Sequence, residues 1–160
     1  MTAIPLIYSF WLMLAFYVIH ILDESLLGGS FVQKVREHWW PQYSWRKFLW
    51  FNAGYLFIMG ASIVLYDRGG ENFLFLPIAW ALERLVNSFW HVWWAVRFRE
   101  YSPGLLTSVL IWIQSYFIVL GRPHDQTLNP GNIWPGLILG SIAAMFISFY
   151  IPIVEGRKNR

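Results

Sequence analysis

The chain has 160 residues, 57% of them apolar and 13% charged, with 12 Lys+Arg against 9 Asp+Glu and no Cys. Soluble domains carry about 25% charged residues, so this composition excludes a water-soluble globular domain and a disordered chain. The long apolar runs also exclude a nucleic-acid binder despite the net charge of +3, and the lack of Cys removes disulfides, thiolate metal sites and Cys nucleophiles.

The expected fold class is all-α: a polytopic membrane protein of five transmembrane helices forming a single membrane domain over residues 1–160. The start, Met1-Thr2-Ala3-Ile4-Pro5, lacks the basic region of a cleavable signal peptide. A membrane helix needs about 20 mostly apolar residues, and five stretches qualify, at about 4–22, 48–66, 73–96, 105–121 and 133–154. The third is interrupted by Glu83, Arg84, Asn87 and His91, but Trp80, Phe89, Trp90, Trp93 and Trp94 surround those groups. Between the first two spans, Ser30 is placed to cap a short helix on which Phe31, Val35 and Trp39 recur every four residues until Pro41 ends it. The segment 30–40 therefore reads as an interfacial helix on the cytoplasmic surface. His38 and His124 fall in loops and read as solvated side chains. Trp45, Trp50 and Trp134 read as interface anchors.

Orientation follows from the Lys and Arg positions. With five spans, Lys34, Arg36, Arg46, Lys47, Arg97, Arg99, Arg157, Lys158 and Arg160 share one side, and only Arg68 and Arg122 lie on the other. The N-terminus is expected outside and the C-terminus in the cytoplasm, in what reads as the cell inner membrane. On the fifth span, Gly136, Gly140, Ala144 and Ser148 recur at four-residue spacing. Such a stripe lets helix backbones approach closely, either within the chain or across a homodimer seam.

Ionisable groups inside a bilayer are costly, so they imply function or obligatory pairing. His20 and Glu24 share a face of the first span, beside Asp23. At about 100° per residue, Glu83, Arg84, Asn87, Ser88 and His91 form one polar stripe on the third. Both spans run inward, so the histidines are expected at similar depth. Asn52, Ser108 and Tyr150 have comparable depths on the other spans. Glu83 and Arg84 suit a structural ion pair, and Asp23 is either part of the site or the water-facing end of its span.

His20-Ile21-Leu22-Asp23-Glu24 resembles the signature of the HXXEE membrane proteins, with Asp23 in place of the first Glu. Asn87-Ser88-Phe89-Trp90-His91 resembles their Asn-x-x-x-His motif. The segment Arg97-Phe98-Arg99-Glu100-Tyr101-Ser102-Pro103-Gly104 resembles their Arg followed by Tyr-Ser-Pro-Gly. The resemblance implies membrane proteins of unassigned function. The His20-x-x-x-Glu24 spacing is also similar to that of the emopamil-binding sterol isomerases, five-span proteins that shuttle protons at a lipid double bond.

Three functions fit. In the first, His20 exchanges protons with a lipid or isoprenoid-like substrate and Glu24 supports it. Asn87 and His91 assist, and Asp23, Asn52, Glu83, Arg84 and Tyr101 contribute to substrate binding; the reaction is of the isomerase or cyclase type and needs no cofactor. In the second, His20, Glu24 and His91, with Asp23 or Glu83 as a further carboxylate, hold Zn²⁺ or Fe²⁺ and leave a position open. In the third, the chain is a non-catalytic subunit or lipid-binding module of a larger membrane complex. The expected partners are membrane lipids, a small hydrophobic substrate and a homodimer mate or larger complex, with no nucleic acid.

Overall fold

The structure, a computed structural model, describes residues 4–27, 30–120 and 128–147. Within these residues it is all-helical: α1 (Leu6–Leu26), α2 (Phe31–His38), α3 (Trp45–Gly69), a 3₁₀ turn (Gly70–Phe73), α4 (Phe75–Phe98), α5 (Leu105–Val119) and α6 (Pro130–Met145). The expected positions of Ser148, Tyr150, His124, Arg122 and the basic tail fall outside the described residues.

The caps follow local chemistry. Ser30 accepts from the Gln33 N–H to start α2, and Ser44 does the same for α3 through Lys47 N–H. Asn129 caps α6 through Gly131 N–H, followed by Pro130 at the first helical position. α4 ends at Arg99, which adopts the left-handed conformation (φ 55°), and α5 begins after Gly104 (φ 99°). Two left-handed residues in six let the chain reverse tightly between α4 and α5.

α1 and the continuous unit Trp45–Phe73 are long and apolar enough to cross a membrane. α4 has 24 residues but carries the polar stripe, and α5 is an apolar helix of 15 residues. Large apolar side chains such as Leu22, Phe57, Phe89, Leu106, Trp134 and Ile138 are exposed on every long helix. Inside, Phe10, Met13 and Tyr17 of α1 meet Met59 and Ile63 of α3 and Ile78 of α4.

The small stripe of α6 is spent inside the chain. A Cβ on Gly136 would lie 2.7 Å from the Phe75 carbonyl oxygen, and one on Gly140 would lie 2.5 Å from that of Ala79. These close approaches seat α6 on α4. α2 spans 31–38, a little shorter than expected, and it is packed rather than simply resting on a surface. Its Val32 and Val35 are buried with Tyr43, Phe48 and Trp94, and Trp39 meets Trp94 edge-on at 4.3 Å.

Candidate functional site

α1 and α4 bring their histidines together. The rings of His20 and His91 are 5.0 Å apart, centroid to centroid, and both are fully buried. One turn further along α1, Glu24 places Oε1 3.6 Å from His20 Nε2 and 3.6 Å from His91 Nε2. Neither Nε2 has a hydrogen-bond partner among the described residues. The other ring nitrogens are held: His20 Nδ1 lies 2.8 Å from Thr107 Oγ1, and His91 Nδ1 lies 2.9 Å from Ser102 Oγ.

The Thr107 contact assigns a tautomer. Its hydroxyl has one proton, and Asp23 Oδ2 waits at 2.9 Å as a carboxylate acceptor. The Thr107 oxygen is then left to accept, so His20 Nδ1–H donates and His20 Nε2 carries a lone pair. Asp23 also accepts from Thr107 N–H at 3.1 Å and from the Tyr101 hydroxyl at 2.9 Å. Partial burial first, and then the carboxylate it serves, raise the Tyr101 phenol above its ordinary pKa of 10.0, so it stays a donor. Asp23 is thus a buried tie between α1 and α5. Tyr101 belongs to that tie.

The α4–α5 turn closes the back of the centre. A Cβ on Gly104 would lie 2.6 Å from His91 Cε1 and 2.8 Å from His20 Cε1, so only glycine lets this backbone lie against both rings. Its φ of 99° adds a second demand for glycine. Ser108, expected at a comparable depth, donates to the Gly104 carbonyl.

In front of the centre lies a cavity of about 410 Å³ between α3 and α4, covered by α2. Its walls are mainly aromatic, from Tyr17, Phe31, Trp39, Trp40, Phe48, Tyr55, Trp80 and Trp90, with Val35 and Ile58 among them. Glu24, Asn52, Arg84 and Asn87 supply its polar groups. His20, Glu24, Asn87 and His91 are close together, but of these four only Glu24 and Asn87 reach the lumen; the imidazoles stand behind Glu24. Asn87 adjoins His20, and its Oδ1 is buried with no partner among the described residues. Asn52 accepts from the Tyr17 hydroxyl. Arg84 and Glu83 form the expected pair, closed by two hydrogen bonds, with the guanidinium 4.5 Å from the Tyr17 ring centroid.

A second network had no sequence signal. Glu100 binds Lys34 Nζ at 2.7 Å, Trp94 Nε1 at 2.9 Å and His38 Nε2 at 3.2 Å. Hydrogen bonds from Lys34, and then from Trp94, hold the Glu100 carboxyl down at about 2. His38, read as a solvated loop residue, is half-buried and stacks on Phe98 at 4.0 Å.

A family profile described as "Protein of unknown function with HXXEE motif" matches residues 11–119. The chain belongs to this family. The matched stretch contains His20, Asp23, Glu24, Asn87, His91 and the Tyr101–Gly104 turn, and the structure gathers these into one centre. The two acids of the motif do different work here: Asp23 faces α5, while Glu24 faces the two imidazoles. No curated protein and no solved structure matches the chain.

Proposed function

We propose that this chain is an integral membrane enzyme that acts on a lipid or isoprenoid-like substrate by acid–base chemistry of the isomerase or cyclase type. Five helices span the bilayer with the N-terminus outside, and α2 lies at the cytoplasmic interface. The observation carrying this reading is the largely aromatic cavity of about 410 Å³ whose polar lining includes Glu24 and Asn87, with two buried imidazoles behind Glu24. An apolar cleft with a few convergent polar groups is the usual form of a small-molecule site. Exposed apolar side chains on every long helix supply the lipid-facing surface.

In this reading the aromatic walls take the apolar body of the substrate. The unpartnered Oδ1 of Asn87 accepts from a hydroxyl on it. Glu24, the ionisable group of the centre that reaches the lumen, meets the reacting atoms. His20 and His91 set the charge of Glu24 from behind, so proton exchange belongs to the centre rather than to His20 alone.

The test uses purified protein in nanodiscs made from the total lipid extract of its host membrane. An isomerase or cyclase product has the mass of its substrate and a different chromatographic retention. The expected result is a time-dependent species of this kind with wild type, absent with Glu24→Gln. No conversion, with a lipid nevertheless retained by the purified protein, would support the binding-module reading instead.

A further inference from the structure

We infer that His20 Nε2, His91 Nε2 and Glu24 together bind one divalent transition-metal ion of the Zn²⁺ or Fe²⁺ class. The inference starts from the centre of the proposed enzyme, but metal and lipid can be measured separately.

The first support is the convergence of donors. One ligand atom each from His20, Glu24 and His91 lies within 4.8 Å of the others, and both Nε2–Oε1 distances are 3.6 Å. Four ligands about 2.0–2.1 Å from a tetrahedral ion are about 3.3 Å apart, so a small inward movement of the rings would seat one. No hydrogen bond occupies the gap: 3.6 Å is too long, and both Nε2 atoms are unpartnered.

The second support is the orientation of the rings. Thr107, itself donating to Asp23, accepts the hydrogen bond from His20 Nδ1–H. The lone pair on Nε2 therefore points at a carboxylate oxygen. Two electron-rich atoms facing each other in a buried site require a proton or a cation between them. Fixing the far nitrogen of an imidazole is how proteins orient a metal-binding histidine, and Ser102 is placed to do the same for His91.

The third support is charge. Asp23 and Glu24 are adjacent, buried carboxylates, while the buried Arg84 is committed to Glu83. Buried charges need a partner or a metal. A divalent ion would balance both acids. Two imidazoles and one carboxylate suit zinc or iron and leave coordination positions for substrate or water. Such an ion would act there as a Lewis acid and, with Glu24 and both imidazoles ligating it, would take over the polarising role that the metal-free reading gives to those three side chains.

The experiment uses the full chain purified in detergent with a tag free of histidine. Metal per chain is determined by elemental analysis as purified, then after chelation and reloading with Co²⁺, whose visible ligand-field band reports nitrogen ligation. The expected result is about one zinc or iron per chain, replaced by Co²⁺ with a band of tetrahedral or five-coordinate intensity. His20→Ala and His91→Ala should lose both metal and band, and His38→Ala should keep them. Thr107→Val, which removes only the orienting hydroxyl, should weaken Co²⁺ affinity about 10–100-fold. Wild type with no stoichiometric metal and no Co²⁺ band overturns the proposal without reference to any variant's folding. Metal retained by a folded His20→Ala variant overturns it equally. Lipid conversion is measured in nanodiscs on the same preparations, so loss of the metal idea with conversion retained leaves the enzyme reading standing.

Discussion

Single atoms decide much of this centre. Gly104 carries two constraints at once, a φ of 99° and a backbone pressed against both imidazoles. Gly104→Ala should therefore cost about 1–3 kcal/mol through backbone strain alone, and should also move the rings apart. A lowered unfolding midpoint in detergent together with lost Co²⁺ binding would be the expected pair of outcomes. Unchanged values would show that the turn is slack. Thr107→Val leaves His20 Nδ1–H without its acceptor, a loss of about 1–3 kcal/mol for a buried polar group, whereas Thr107→Ser should retain most of the wild-type stability. The sequence displayed His20, Glu24, Asn87 and His91 because ionisable and amide groups stand out in apolar runs and their spacing assigns each to a helix face. Ser102 stood out only as part of the Tyr-Ser-Pro-Gly resemblance, and Thr107 gave no signal. A hydroxyl among apolar residues is unremarkable until a contact 87 residues away in sequence, such as His20 to Thr107, makes it part of a network.

Among the elements, periodicity revealed the helices well and their ends less well. The spans expected at about 48–66 and 73–96 correspond to α3 (Trp45–Gly69) and α4 (Phe75–Phe98), because apolar runs end before the capped, polar last turns do. What periodicity could not give was the partner of each face. α2 had the pattern of a surface helix, yet Lys34 and His38 bind Glu100 across more than 60 residues of sequence. That docking is testable by pH. A carboxylate held down to about 2 supports docking fully above its ordinary value of 4.5 and progressively less as pH falls toward 2. Hydrogen-exchange protection of the Phe31–His38 amides should therefore fall across that window, and Glu100→Gln should show the lower protection already at neutral pH. α6 offers a second check at this scale. Gly140→Ala forces a Cβ against the Ala79 backbone and should cost about 1–3 kcal/mol by overpacking. Gly60→Ala, with nothing within 4 Å of the added carbon, should be neutral or slightly stabilising through helix propensity. Equal effects of the two substitutions would contradict the α4–α6 seam.

At the scale of the whole molecule, the buried centre is at one end of the bundle. His20 and Glu24 lie in the last two turns of α1, His91 lies in the last turns of α4, and the Gly104 turn closes over them. α2 docks at the same end through Glu100, while Asp67, Arg68 and Glu71 mark the opposite one. The proposed topology assigns that first end to the cytoplasm because nine Lys and Arg flank it in sequence and only two, Arg68 and Arg122, flank the other. The proposed substrate would then enter from the inner leaflet, where the cavity beneath α2 meets exposed Trp50 and Phe51 of α3. The chain has no native Cys, so single cysteines report sidedness without background. Glu37→Cys on the exposed face of α2 and Glu71→Cys in the 3₁₀ turn occupy opposite ends and are both exposed. With an impermeant maleimide on intact cells, Glu71→Cys should react at once and Glu37→Cys only after the membrane is opened. The reverse pattern would invert the bundle and move the centre to the outer leaflet. Labelling of both from outside would mean that the helices do not cross as proposed, and the inner-leaflet substrate route would fall with the topology.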